Sequence, residues 1–157
     1  MRKKKKIKKH HIIADKKFNS VLVSKLINQV MRNGEKNKAI KIIYKTSNLL
    51  EEKEKNISFL SILDKAIENV RPSWENKSGG YKQKIPKKIE KERSIKLSLR
   101  WIVEESRKET KKNSKMMFEN LFEEIMNAYE KKGNAYKKKQ EEWKSIRGNM
   151  ALVNIKQ

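Results

Sequence analysis

The chain has 157 residues and sets 41 lysines and arginines against 19 acidic residues, a formal charge of +22. Length suits one domain over 1–157, and 36% apolar residues can fill one helical core, while the charge calls for a polyanionic partner, nucleic acid before an anionic membrane, because each phosphate contact releases a condensed counterion. With no cysteine there is neither a disulfide framework nor a thiolate metal site, and no apolar run nears the ~20 residues that cross a bilayer.

Residues 1–14 read as a basic arm. Arg2, Lys3, Lys4, Lys5, Lys6, Lys8, Lys9 and His10 fall within it, and it lacks the apolar stretch of a secretory signal. Ser20 is the expected N-cap of a first helix, on which Leu22, Val23, Leu26, Ile27, Val30 and Met31 recur at helical spacing, with Gly34 as its C′ residue. A second helix is expected from Glu35 to Glu54, its inner face Ala39, Ile42, Ile43, Leu49 and Leu50. Asn56 or Ser58 caps a third, with Phe59, Leu63, Ala66, Ile67 and Val70 in its stripe, and Arg71-Pro72 ends it.

Residues 73–90 break the helical period. Gly79-Gly80 between Trp74 and the Tyr81/Ile85 alternation predicts a hairpin arm, restricted to an edge position at Pro86 and in need of a surface to lie on. A fourth helix is expected over Glu92–Lys108 through Ile95, Leu99, Ile102 and Val103, and a fifth capped by Asn113 or Ser114 and carrying Met117, Phe118, Leu121, Phe122, Ile125 and Ala128. The basic segment 134–157 yields a sixth, poorly amphipathic helix after Gly133. The expected fold is therefore all-α, a five- to six-helix bundle with one protruding β-hairpin arm and basic extensions at both ends.

Catalysis finds no constellation. The pairs Glu51-Glu52, Glu104-Glu105, Glu123-Glu124 and Glu141-Glu142 read as solvated faces, since helical neighbours point ~100° apart. Glu104 and Lys108 read as an i,i+4 surface pair. His10 and His11 have no second ligand cluster, and Gly79-Gly80 lacks the ending of a phosphate loop. No enzyme, metal or cofactor is expected. The helix–Gly34–helix segment reads as an ordinary helical hairpin, because its second helix does not open on residues that read base edges.

Three separated basic patches around a helical body suit a folded RNA recognised by shape and phosphates better than a DNA duplex. Trp74, Tyr81, Tyr136 and Trp143 lie in those patches as stacking candidates, whereas Trp101 reads as core. A basic DNA-binding or chromosome-associated protein is the alternative, with a membrane-surface protein behind it.

Asp15-Lys16-Lys17-Phe18-Asn19-Ser20, Lys25-Leu26-Ile27-Asn28 and Gly34 resemble the first-helix signature of the small-subunit ribosomal protein seven family. Ala66-Ile67-Glu68-Asn69-Val70-Arg71-Pro72 resembles its third-helix ending, Gly79-Gly80 its hairpin, Leu99-Arg100-Trp101-Ile102-Val103 its fourth helix, and Lys137-Lys138-Lys139 with Asn149-Met150-Ala151 its basic ending. The chain departs from the pattern at Lys16, where proline is usual, and at Trp143, where histidine is usual.

The resemblance implies binding to the 3′ major domain of small-subunit rRNA during head assembly. It also implies neighbouring small-subunit head proteins, the exit-site tRNA and mRNA path nearby, and no homo-oligomer. Its implied rRNA contacts are the arm residues above with Lys25, Arg32, Lys36, Lys77, Lys82, Lys84, Lys115, Lys137, Lys138, Lys139, Trp143, Lys144 and Arg147. The Lys-, Asn- and Ile-rich composition fits translation from AT-rich codons, and the phrase Ala128-Tyr129-Glu130-Lys131-Lys132-Gly133 is similar to organelle-encoded members, notably mitochondrial ones. A mitochondrial ribosome is the first expectation for location, with the cytoplasm of an AT-rich bacterium or another organelle as alternatives.

Overall fold

The computed structural model describes residues 12–54, 56–78 and 84–150. The arm from Arg2 to His10, the Gly79-Gly80 turn and Lys82 lie outside these. In chain order the elements are α1 (Val21–Val30), α2 (Lys36–Lys53), α3 (Phe59–Val70), β1 (Trp74–Ser78), β2 (Lys84–Lys88), α4 (Lys91–Lys112), α5 (Met117–Tyr129) and α6 (Gly133–Gly148). The expected helices and hairpin are all present, so the all-α bundle with one two-stranded arm is the observed fold.

The start of α1 shows why its signature residues are needed. Buried Asp15 accepts at Oδ2 from the backbone N–H of Lys17 and Phe18, and Tyr44 donates its hydroxyl to the same carboxylate at 3.1 Å. This turn seats the Phe18 ring against Phe59, centroids 5.1 Å apart, and against Tyr44. Ser20 then caps the helix, its hydroxyl accepting from the Leu22 N–H at 3.2 Å.

Several boundaries differ from expectation for local physical reasons. Helix α1 ends at Val30, and Gly34, at φ +75°, serves the loop into α2 beside Asn33, also at positive φ, rather than acting as C′ of α1. The C-terminal carbonyls of Gln29 and Val30 are met instead by Arg107 of α4, whose Nη2 donates to both at 3.0 Å. Helix α4 runs to Lys112, beyond the expected Lys108. Asn113 and Ser114 do not cap α5. Met116 occupies that position, with its N–H donating to Glu119 Oε2 at 2.7 Å, while Asn113 ends α4 and its side-chain amide bonds that of Asn120. On the inner face of α2, Thr46 and Ser47 are buried where Ile42 and Leu49 are only half-buried. Thr46 can be buried because its hydroxyl bonds the carbonyls of Ile42 and Phe118.

Helix α5 is the centre of the bundle and packs against α2, α3, α4 and α6. Its Leu121, Ile125 and Ala128 are fully buried with Leu26, Ile43, Leu63, Ile67 and Ile102 in one hydrophobic cluster. Each fully buried Leu or Ile contributes roughly 1.5–3 kcal/mol relative to exposure. Trp101 belongs to this cluster, as expected.

Candidate nucleic-acid interface

The hairpin register sets Trp74 opposite Lys88, Asn76 opposite Pro86 and Lys77 opposite Ile85. Strand alternation therefore puts Trp74, Asn76, Pro86 and Lys88 on one face. That face meets α6, where Asn76 Nδ2 donates to Ser145 Oγ at 3.1 Å. On the opposite face Glu75 accepts from Arg93 of α4 through Nε, at 2.8 Å, and Nη2, at 2.7 Å. The hairpin base is thus held between α4 and α6. Lys77, Lys84, Lys87 and Lys88 stand exposed on it.

Helix α6 is held near both of its ends, not along a wide apolar face. Only Ala135 and Ile146 are buried along it. Gly133 sits at φ +84°, and a Cβ there would lie 2.8 Å from Asn127 Cβ and 3.1 Å from Glu124 Oε1, so this junction excludes a side chain. Glu124, nearly fully buried, accepts the Ala135 N–H at 2.7 Å and so meets an orphan donor of the first turn of α6. Burial pushes its carboxyl up, against the lowering effect of that bond.

Three of the expected RNA-binding lysines, Lys115, Lys138 and Lys139, are engaged within the chain. Lys138 pairs with Glu104 at 3.0 Å and approaches Glu105 at 3.8 Å, while Lys139 donates to the Asn69 carbonyl. Burial, reinforced by Arg71 and Lys131, pushes the Lys139 ammonium down. Burial also raises the Glu104 carboxyl, but the bonds from Arg100 and Lys138 outweigh it and hold the group below its ordinary value. Lys115 forms an exposed pair with Glu123.

The carboxylate pairs are consequently not all solvated faces. Glu105 and Glu124 are buried, and Lys108 pairs with Glu105 at 2.7 Å rather than with Glu104. Glu104 instead takes Arg100 at 2.6 Å.

The remaining cations are displayed. Among the described residues Lys25, Arg32, Lys36, Lys77, Lys84, Lys137, Lys144 and Arg147 form no ion pair. Lys25 lines a cleft of about 630 Å³ between α1 and α4 with Ile12, Asn28, Arg93 and Lys96. Arg32 lies in a smaller groove of about 280 Å³ with Lys38, Arg107 and Lys111. Lys36 opens α2, where a cation opposes the helix dipole, so its placement does not serve helix stability. Trp143 is 47% exposed on α6, unusual for so large an apolar ring.

Residues that sequence reasoning passed over hold these surfaces in place. Asn69 donates to the carbonyls of Ala128 and Tyr129, at 3.0 and 2.8 Å, tying the end of α3 to the end of α5. Ser94 donates to the Pro72 carbonyl at 2.6 Å and fixes α4 to the strand entrance. The signal for Asn69 was the Asn69–Pro72 phrase, whose side-chain geometry no spacing rule reveals, and Ser94 carried none.

Comparison with known proteins gives the family of this chain. The family model "Ribosomal protein S7p/S5e" matches residues 1–149. A protein of Wolbachia sp. subsp. Brugia malayi named "Small ribosomal subunit protein uS7" is 37% identical over 159 residues, spanning 99% of both chains. Proteins of the same name from Hydrogenobaculum sp. and Ehrlichia ruminantium are 36% and 35% identical, again over 99% of each chain. The chain belongs to the ribosomal protein S7p/S5e family.

Proposed function

We propose that this chain is a structural, non-enzymatic constituent of the small ribosomal subunit. It binds the 3′ major domain of the rRNA during head assembly, beside other head proteins and near the exit-site tRNA and mRNA path. The observation that carries this reading is the family match along the chain joined to unpaired cations on the hairpin, α6 and the α1–α2 side of one helical body. The helices set the distances between cationic surfaces, and the cations neutralise phosphates where RNA helices converge. Lys138 and Lys139 hold α6 in place. The outward contacts on that helix are Lys137, Trp143, Lys144 and Arg147.

Binding of the full chain to a 3′ major-domain transcript, measured from 50 to 200 mM salt, tests this. With about eight phosphate contacts, affinity falls on the order of 10³- to 10⁵-fold across that range. Affinity that is flat with salt, or equal for duplex DNA in direct competition, sinks the reading. The mitochondrial ribosome remains the proposed compartment on composition and on the Ala128–Gly133 phrase. The relatives named above are bacterial, which suits the bacterial cytoplasm equally. Co-sedimentation of the tagged chain with small-subunit particles inside or outside a mitochondrial fraction separates the two.

A further inference from the structure

The indoles of Trp74 and Trp143 come from elements 69 residues apart in sequence yet line one cleft of about 370 Å³, with Pro72, Ser73, Lys139 and Ile146. They are not stacked on each other; among the described residues the ring pairs are Phe18–Tyr44 and Phe18–Phe59. Pro72 and Ser73 also border a second cleft of about 270 Å³, whose cations are Arg71, Lys88 and Lys91. A flat apolar notch therefore adjoins a cationic one. On the strand face of Trp74, Asn76 Oδ1 is a buried acceptor without a partner among the described residues.

We infer that the Trp74–Trp143 cleft receives an unpaired nucleobase of the bound RNA, with its flanking phosphates against Arg71, Lys88 and Lys91. This rests on the RNA-binding reading above. An aromatic surface beside a cation row is what a single-stranded base with its phosphates requires, since every base has a stackable face. A paired base offers only its edges, so a duplex does not fill such a notch. An acidic protein segment would satisfy the cations but leave the indoles uncovered.

The test uses the full chain and the 3′ major-domain transcript. Trp143→Ala weakens binding about 5- to 100-fold, and Trp143→Phe recovers most of that loss. Because stacking releases no counterion, the slope of log affinity against log salt stays at its wild-type value, whereas an Arg147→Ala control lowers it by about 1. Wild-type affinity in Trp143→Ala, or a lowered slope, overturns the stacking site while leaving phosphate binding intact. Failure of the wild-type chain to bind the transcript overturns the function itself, and the stacking site with it. A second readout does not depend on that variant: in a Trp101→Phe chain, the remaining indole emission is quenched when RNA binds. Unchanged emission overturns the inference. So does an emission shift without RNA on removal of residues 151–157, which would make the chain's own end the occupant.

Discussion

The two halves of α6 use the same residue types for opposite ends. In the first half, Lys138 and Lys139 lie half-buried, one on Glu104 and the other on the Asn69 carbonyl. In the second half, Lys144 and Arg147 are exposed and unpaired among the described residues, beside an exposed tryptophan. The difference lies in what stands opposite. Helix α4 presents Glu104 and Glu105 to the first half, whereas the second half faces the hairpin base, whose Glu75 lies on the strand face turned away from α6 and is engaged by Arg93. A lysine run is therefore not one functional unit, and charge counted along a sequence overstates the charge offered to a partner.

Breaking the displayed cations, which are those of the second half together with the exposed Lys137 of the first, has the largest expected effect. Replacing Lys137, Lys144 and Arg147 together by alanine should lower affinity for the transcript on the order of a hundredfold near 0.1 M salt, and flatten the salt slope by about 2 to 3. Far-UV helicity should be retained, because none of the three side chains is buried. Lys138→Ala makes the matching change in the anchored half. It should reduce thermal stability by about 1 kcal/mol and leave the salt slope within error. A slope change equal to that of Arg147→Ala would show that the two halves are not distinct.

Gly133→Ala attacks the junction that aims the whole helix. The substitution forces a Cβ into Asn127 at a backbone angle that L residues rarely adopt, so a loss of about 2 kcal/mol is expected. For a chain of this length that corresponds to roughly 4 to 8 °C in Tm by differential scanning calorimetry. RNA affinity measured well below the transition should fall less than in the triple variant. An unchanged Tm would mean that α6 can shift along α5 without cost.

Much of the bundle was legible because helical period and polar caps are local signals. Ser20 and Ser58 cap as their spacing implies, and Arg71-Pro72 ends α3 as the proline requires. The cap of α5 was misread for a physical reason: Asn113 and Asn120 bond each other across the turn, which removes Asn113 from the capping position. Candidate site residues were legible as a composition but not as a partition. Nothing in Lys137-Lys138-Lys139 says which ammonium meets a carboxylate, because Glu104 lies 34 residues away in sequence from Lys138. Nor could the shared cleft of Trp74 and Trp143 be read before the register of the hairpin on α6 was known.

The smallest effects should separate two glutamates that the sequence presents alike. Arg100 and Lys138 hold the Glu104 carboxyl below its ordinary value despite partial burial. Its stabilising contribution is therefore fully present above the unfolded-state value and disappears as pH falls through the depressed folded-state value. Burial moves Glu124 the other way. Between its unfolded and folded values the native state holds more protons than the unfolded chain, so stability declines as pH rises through that window. Glutamine at position 124 keeps an oxygen for the Ala135 N–H and removes the buried charge. The Tm of Glu124→Gln relative to wild type should therefore improve as pH rises from about 4 to 7, while that of Glu104→Gln worsens below that range, as pH rises toward the ordinary glutamate value of about 4.3, and is level above it. Parallel pH profiles for the two variants would mean that the pair on α6 and the buried cap beneath it are electrostatically equivalent, and the contrast between anchoring and display along this helix would lose its basis.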